Sequence, residues 1–552
     1  MQFHQWTDIR VTRWHLLIVL LSLTACDLFM APSVATTIRL SPTEVTFDAL
    51  GDNLRVTATV EDQNGNVMSN DTVTWTASDH GIATVSFSGL VTAVGPGTST
   101  VTASASSASG TATVTVVQTA SSIELSDTVV NFYSLGDTAR VSATVRDKNQ
   151  NLMNDSSVIW TTSDPSVATI SSSGLITAQE VGTATITAAV GSLHGSVRVT
   201  ITLWSAITAG QLHSCGITVP GTAYCWGRNG WGQIGDGTGS DRSIPTLVSG
   251  GHIWRSISAG EDHTCAVTTS DEAFCWGHNL FGRLGDGTET EQAVPTLVSH
   301  QLGWQSISPG ASHTCAVTTS GEIFCWGANA YGEIGNGNTT NQLTPTSVGS
   351  GQTWQSISAG GNHTCAVTTS SEAYCWGGNL FGQIGDGANI DRSIPTAVSG
   401  GHAWQSVSAG ENHTCAVTRS DQAYCWGSNA NNRLGDETST DRATPTAVSG
   451  LNSWASLSAG NEHTCGATTS GKAYCWGFND SGRLGDGTTT DRWAPRAVIA
   501  QHIWRSLSAG GYHTCGVTTS DEAYCWGLGS YGELGNGIST ARSIPTQVRN
   551  PS

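Results

Sequence analysis

From Trp204 onward the sequence repeats itself every fifty residues, and this fixed period restricts the fold more than any other feature of the chain. Cys215, Cys265, Cys315, Cys365, Cys415, Cys465 and Cys515 stand 50 residues apart, and Cys225, Cys275, Cys325, Cys375, Cys425, Cys475 and Cys525 run parallel to them. A representative unit begins at Trp254 and reads W-R-S-I-S-A-G-E-D-H-T-C-A-V-T-T-S-D-E-A-F-C-W-G-H-N-L-F-G-R-L-G-D-G-T, closing on P-T-L-V-S at Ser299. Seven copies follow one another without an insertion. A repeat of this length signals a propeller or a solenoid.

Gly is abundant (65 residues), charged residues make up only 12%, and Thr, Ser and Val dominate the runs. Such a composition points to short strands and tight turns, an all-β chain too long for one core. The formal net charge of −19 argues against a nucleic-acid partner, which needs clustered Lys and Arg.

The chain opens with an export pattern. Arg10 and Arg13 precede the apolar run Leu16 to Leu21, and Leu23-Thr24-Ala25-Cys26 follows. This is a secretory signal, too short to span a bilayer. Leu23 to Cys26 resembles the lipobox of bacterial lipoproteins, which implies lipidation of Cys26 and cleavage before it. Of 15 Cys, 14 belong to the repeats, and Cys26 is the one left over. Asp27 resembles an inner-membrane retention signal of some bacteria, so the cell surface and the periplasm both stay open as destinations.

Between this segment and the repeats lie two copies of a different unit. Trp75 and Trp160, Gly89 and Gly174, and Gly97 and Gly182 all differ by 85. Each copy alternates with a period of two between turns such as Leu50-Gly51-Asp52, as half-buried strands do, and each carries one central Trp. These features predict a sandwich of about seven strands. The runs V-T-W-T-A-S-D-H-G-I-A-T-V and V-I-W-T-T-S-D-P-S-V-A-T-I resemble the group 2 bacterial immunoglobulin-like domain. That likeness implies a stalk or an adhesive module, and no unusual aromatic or charged cluster marks either copy for adhesion.

Within one repeat, a hairpin centred on Ser270 places Cys265 opposite Cys275 and Val267 opposite Ala273, with Thr269 to Asp271 as the loop. Facing residues on antiparallel strands are close enough for a disulfide, so the expected bridges are Cys215–Cys225 and its six equivalents, ending with Cys515–Cys525. Disulfides suit an exported chain. His263, Cys265 and Cys275 also form a possible zinc set, but seven exported zinc sites are a poorer reading than seven bridges. The Asp of Gly-Asp-Gly (Asp236, Asp286, Asp386, Asp486) reads as a turn residue. Its loop lacks the oxygen ligands that calcium needs. No metal and no cofactor is expected.

The elements A-G-x-x-H-T, Y/F-C-W-G-x-N, G-x-L/I-G-D/N-G and P-T-x-V resemble the repeats of the regulator of chromosome condensation family across all seven units. The likeness implies a seven-bladed propeller with one four-stranded sheet per blade. The Cys pair departs from the eukaryotic members. A closed ring leaves no blade edge exposed, and the last strand, near Pro545 to Val548, is expected to complete a sheet with Trp204 to Ala209. The fold class is therefore all-β, two immunoglobulin-like β-sandwiches followed by a seven-bladed β-propeller. The divisions are a signal peptide at 1–25, a tether at 26–35, sandwiches at 36–118 and 119–202, and the propeller at 203–552.

Residues present in every blade serve the blade, so a binding face is sought where blades differ. The two positions before each His vary, which nominates Gln211, Leu212, Glu261, Asp262, Ser312, Asn362, Glu411, Asn412, Asn461, Glu462 and Tyr512. In the family this turn lies near the channel mouth. Its four carboxylates (Glu261, Asp262, Glu411, Glu462) favour a cationic partner, with Leu212 and Tyr512 as apolar anchors. No catalytic residue set stands out. The expectation is a monomeric, lipid-anchored surface protein, not an enzyme, whose head binds a protein or glycan. An exported glycan or peptide hydrolase or lyase is the alternative. The family likeness also raises a guanine-nucleotide exchange role, which a chain outside the cytosol has no GTPase to perform.

Overall fold

The computed structural model describes residues 32–300, 302–349, 351–451 and 453–551. The signal segment and Cys26 lie outside the described residues. Among those described, no helix is long and apolar enough to cross a membrane.

The first immunoglobulin-like copy is a sandwich. Its larger sheet orders Glu44–Phe47, Ala108–Val116, Gly97–Ala105 and Thr74–Ala77, and the first two of these run parallel. A second sheet orders Asn53–Arg55, Leu90–Ala93 and Ala83–Val85. Alternation along Gly97–Ala105 sends Ser99, Val101, Ala103 and Ala105 into the core. The second copy repeats both sheets, with Val129–Phe132, Leu193–Ile201, Gly182–Val190 and Ile159–Thr162 in the larger one. Each copy has nine strands rather than about seven. Trp75 is half-buried at the edge of the core, not central to it. Gly89 lies beneath its ring, where a Cβ would meet the Val56 carbonyl at 2.3 Å and the indole at 2.9 Å. The loop Asp147–Asn151 packs with the first copy. Asp147 accepts hydrogen bonds from the Leu50 N–H and the Gln118 amide at 2.9 and 3.0 Å, and these bonds hold its carboxyl down to about 2 against the cost of burial.

Each fifty-residue repeat folds into one antiparallel sheet of four consecutive strands. In the first blade these are Trp204–Ala209, His213–Thr218, Thr222–Gly227 and Arg242–Leu247, and in the last they are Trp504–Ala509, His513–Thr518, Ala523–Gly527 and Arg542–Gln547. All seven bridges join directly opposed residues of the second and third strands, with Cα atoms 4.0–4.1 Å apart. The hydrophobic core lies between blades rather than within them. One face of the first blade (Cys215, Ile217, Cys225, Ile234, Val248) packs on the opposite face of the second (Trp254, Ile257, Phe274, Trp276). The ring closes by the same packing, with Trp204, Ile207 and Trp226 against Cys515, Val517, Leu534 and Val548.

This closure overturns one expectation. Among the described residues, the last strand pairs only with Ala523–Gly527 of its own blade, and no strand is exchanged between the ends of the ring. A repeat counted from Trp204 already contains four complete strands, so the seventh blade needs none from the first. The seam is made instead by Trp204 N–H on the Asp521 carbonyl at 2.8 Å and by Arg505 on the carbonyls of Trp204 and Ser205.

Candidate functional site

The inner strands end in Ala, or Pro309 in the third blade, followed by Gly at the channel mouth, and there the backbone forms a closed ring. The N–H after each Gly donates to the Gly carbonyl of the next blade, from Gln211 to Gly260 around to Gly511 on Gly210, at 3.0–3.3 Å. Gly is required by this close approach rather than by a positive φ. A Cβ on any of the seven would lie 2.2–2.6 Å from the neighbouring carbonyl.

Beneath the backbone ring runs a second, made of side chains. Each buried His donates Nε2–H to a hydroxyl of the next blade, from His213 on Thr264 to His513 on Ser214, at 2.7–2.9 Å. The tautomer follows from the hydroxyl, whose proton is committed to a backbone carbonyl: Thr264 donates to Gln233, Thr314 to Arg283, and Ser214 to Glu533. In six blades the same kind of carbonyl also accepts the indole N–H of the Trp-Gly pair. Burial without a counter-charge pushes His213, His313, His363 and His513 down to about 3 and lowers the other three as well. These imidazoles are neutral structural struts.

The mouth encloses a cavity of ≈ 290 Å³ floored by Ala209, Ala259, Pro309 and their equivalents. The nominated residues divide around it. Gln211, Glu261, Ser312, Asn362, Glu411 and Asn461 line the cavity, while Leu212, Asp262, Asn412, Glu462 and Tyr512 do not. Gln211 donates to Glu261 at 2.8 Å. Burial raises the Glu261 carboxyl, and the charges of Asp262 and Glu411 add to the rise. Burial raises Glu411 too.

The charge expectation needs correction, because the outer carboxylates already face arginines. Asp262 lies 3.7 Å from Arg228, and Glu462 lies 3.9 Å from Arg433 and 3.8 Å from Arg483. Tyr512 is no free anchor either. Its ring lies 5.2 Å from the Arg483 guanidinium, which also sits 4.9 Å from the Phe478 ring and is fully buried. Arg433 and Arg483 share one position in the repeat, five residues after that of Arg228: the variable residue of G-x-L/I-G, occupied by Gln233, Arg283, Glu333, Gln383, Arg433, Arg483 and Glu533. Sequence reasoning passed over it as part of a Gly-rich turn. Its variation inside a fixed frame was the available signal.

The side chain at this position sets the loop before it. Gln233, Glu333, Gln383 and Glu533 accept the N–H of the aromatic residue two places earlier (Trp231, Tyr331, Phe381 and Tyr531) at 2.9–3.0 Å. Arg283 and Arg433 instead donate to the carbonyls of Leu280 and Ala430, and the following residues, Phe281 and Asn431, take φ of 67° and 59°. Farther out, the Asp of Gly-Asp-Gly is a turn residue as expected. Asp236, Asp386 and Asp486, and Asp436 of the equivalent Gly-Asp-Glu, pair with the Arg six residues on at 2.5–2.8 Å. Among the described residues, no cluster of His, Cys, Asp and Glu has the arrangement of a metal site.

Fold and site together define an all-β protein with a seven-bladed propeller head. The Regulator of chromosome condensation (RCC1) repeat model matches seven segments, from 220–267 to 520–552, more than half of the chain, and a second model of the same repeat matches 204–233 through 504–533. The chain belongs to the regulator of chromosome condensation repeat family. Residues 34–118 and 119–201 match the Bacterial Ig-like domain (group 2). Human WBSCR16 has a similar solved structure, with a TM-score of 0.55 at 20% identity, covering 60% of this chain and 94% of that one. Yeast RCC1 (Prp20), solved bound to Kap60, gives a TM-score of 0.51 at 21% identity, covering 56% and 78%. These likenesses concern the fold alone. An uncharacterized protein of Clostridium acetobutylicum is 37% identical over 140 residues, which are 24% of this chain and 14% of that protein. The chain thus spans a small part of that relative's length.

Proposed function

We propose that the protein is an exported, lipid-anchored binding protein whose immunoglobulin-like domains form a stalk and whose propeller presents the channel-mouth face to a protein or glycan. One observation carries this reading. The groups common to every blade at the mouth, the Gly carbonyls, the His and, in six blades, the Trp, are engaged in bonds between blades, so chemical variety resides in side chains that differ from blade to blade. The imidazole Nε2–H is held by a hydroxyl, and the ring, with Nδ1, is buried away from the cavity, so no substrate proton reaches it as a general base. The seven disulfides and the bacterial immunoglobulin-like domains point to an oxidising compartment outside the cytosol.

Two measurements test it. Fatty-acid labelling of the expressed chain should be lost in Cys26→Ser, and labelling that persists would remove the anchor from the proposal. Partner capture from envelope extracts should fall in a Glu261→Gln/Glu411→Gln double variant, whereas undiminished capture would move recognition to another face. A second reading, an exported glycan hydrolase, draws on Glu261 and Glu411, two carboxyls raised by burial at one cavity. Release of reducing sugar from a glycan panel, abolished by Glu261→Gln, would reverse the order of the two.

A further inference from the structure

The aromatic residues outside the mouth form a set that the blade architecture does not need. In four blades the loop reads aromatic-Gly-Gln/Glu: Trp231-Gly-Gln233, Tyr331-Gly-Glu333, Phe381-Gly-Gln383 and Tyr531-Gly-Glu533. The Gln or Glu side chain pins the aromatic backbone N–H, so each ring stands on a fixed loop rather than a mobile one. Trp231, Tyr331 and Tyr531 are nevertheless 37%, 49% and 41% exposed. Blades five and six carry Asn431 and Ser481 here, so the rings form an arc and not a full circle.

Two of the rings rest on a planar neighbour. Trp231 stacks on His278 of the next blade, with centroids 4.3 Å apart and planes 19° from parallel. Tyr531 rests over the Arg228 guanidinium at 6.0 Å. Tyr331 meets the next blade at its root, where a Cβ on Gly378 would stand 3.6 Å from the Tyr Cβ. A partly exposed ring on a pinned loop is a preorganised stacking surface. Holding it exposed gives up the free energy that burial would yield, about 25 cal/mol per Å².

We infer that this arc is the recognition surface for a neutral oligosaccharide, with pyranose rings stacked on Trp231, Tyr331 and Tyr531. The inference rests on the binding reading above and names the class of partner. Charge at the rings is balanced, because Arg228, the cation beside Tyr531, faces Asp262 at 3.7 Å, and this favours an uncharged ligand there. A nucleic-acid strand, which also stacks on aromatic rings, is disfavoured by the net charge of −19. The apolar face of a sugar ring matches an open indole or phenol face. The neutral side chains at the mouth, Gln211, Asn362 and Asn461, supply donors and acceptors for hydroxyl groups.

The test uses the full chain and hexasaccharides of β-glucan, α-mannan and β-linked N-acetylglucosamine, followed by tryptophan fluorescence and calorimetry. At least one should bind with a shift in indole emission. Trp231→Ala and Tyr331→Ala should each weaken it at least tenfold, Trp231→Phe should keep most of the affinity, and Gln233→Ala, which leaves the ring but frees its loop, should weaken it several-fold. Leu247→Ala, at an exposed outer strand, should change nothing. Unchanged near-ultraviolet circular dichroism shows that a variant has folded. No binding by any hexasaccharide, or binding indifferent to Trp231→Ala and Tyr331→Ala, overturns the inference. If a protein partner is still captured through Glu261 and Glu411 in that case, the binding reading survives without it. If hexasaccharide is cleaved, the binding reading falls to the hydrolase.

Discussion

The His of each A-G-x-x-H-T element is where residue chemistry and stability meet. Its Nε2–H is spent on a hydroxyl, and Nδ1 of His213, His263, His363, His413, His463 and His513 has no partner, so a proton added there finds no acceptor. The folded pKa, about 3 for four of the seven, lies below the unfolded value of about 6.5. The unfolded chain therefore binds more protons through that window. Stability is complete above about pH 6.5 and is lost as pH falls toward 3, by about 1.4 kcal/mol per pH unit for each His that titrates. Glu261, Glu333, Glu411 and Glu533 oppose the loss, because burial raises their folded values and so favours the folded state on acidification. Seven imidazoles outweigh four carboxyls between pH 7 and 5, because each group changes the proton difference between the two states by at most one. The urea midpoint should fall steadily from pH 7 to pH 5, and an equal midpoint at both would show that the ring tolerates imidazolium.

At the scale of the element, the hairpin bridged by its own disulfide was legible from spacing alone. The bonded residues are ten apart in sequence and the turn between them is fixed by length. Closing so short a loop contributes about 2.5 kcal/mol in the chain-entropy model. Cys365→Ala/Cys375→Ala should lower stability by roughly that amount plus a small cavity term, as read from urea unfolding at pH 7.5. Both sulfurs are fully buried, so thiol trapping with reductant should label the native protein slowly and the denatured protein at once. Rapid labelling without denaturant would contradict the burial. The aromatic-Gly-Gln/Glu loops are the opposite case. Their letters were visible, but the bond from side chain to backbone N–H that gives them a posture appears only when the turn is folded.

For the molecule as a whole, the seam between the seventh and first blades is chemically the same as the six inside the ring. His513 meets Ser214 where His313 meets Thr364, and Ser214 donates to the Glu533 carbonyl where Thr364 donates to that of Glu333. Ser214→Ala and Thr364→Val each strand a buried imidazole N–H and relieve a carbonyl of one donor. Each should cost about 1–3 kcal/mol, and the two should be alike. A ring fastened by an exchanged strand would concentrate its weakness at the seam, so limited proteolysis that opened only the Ser214→Ala variant would speak against equivalence.

The sequence by itself determined the period, the number of blades, the sulfur pairing and the all-β class, since these depend on contacts within one repeat, written close together and seven times over. Only the tertiary structure decided how the ring closes, why the Gly and His recur, which charges cancel and which aromatic rings stay open. Those outcomes depend on the face that one blade turns to the next, across about fifty residues or, at the seam, about three hundred, and a periodic sequence is the same whichever neighbour its faces meet.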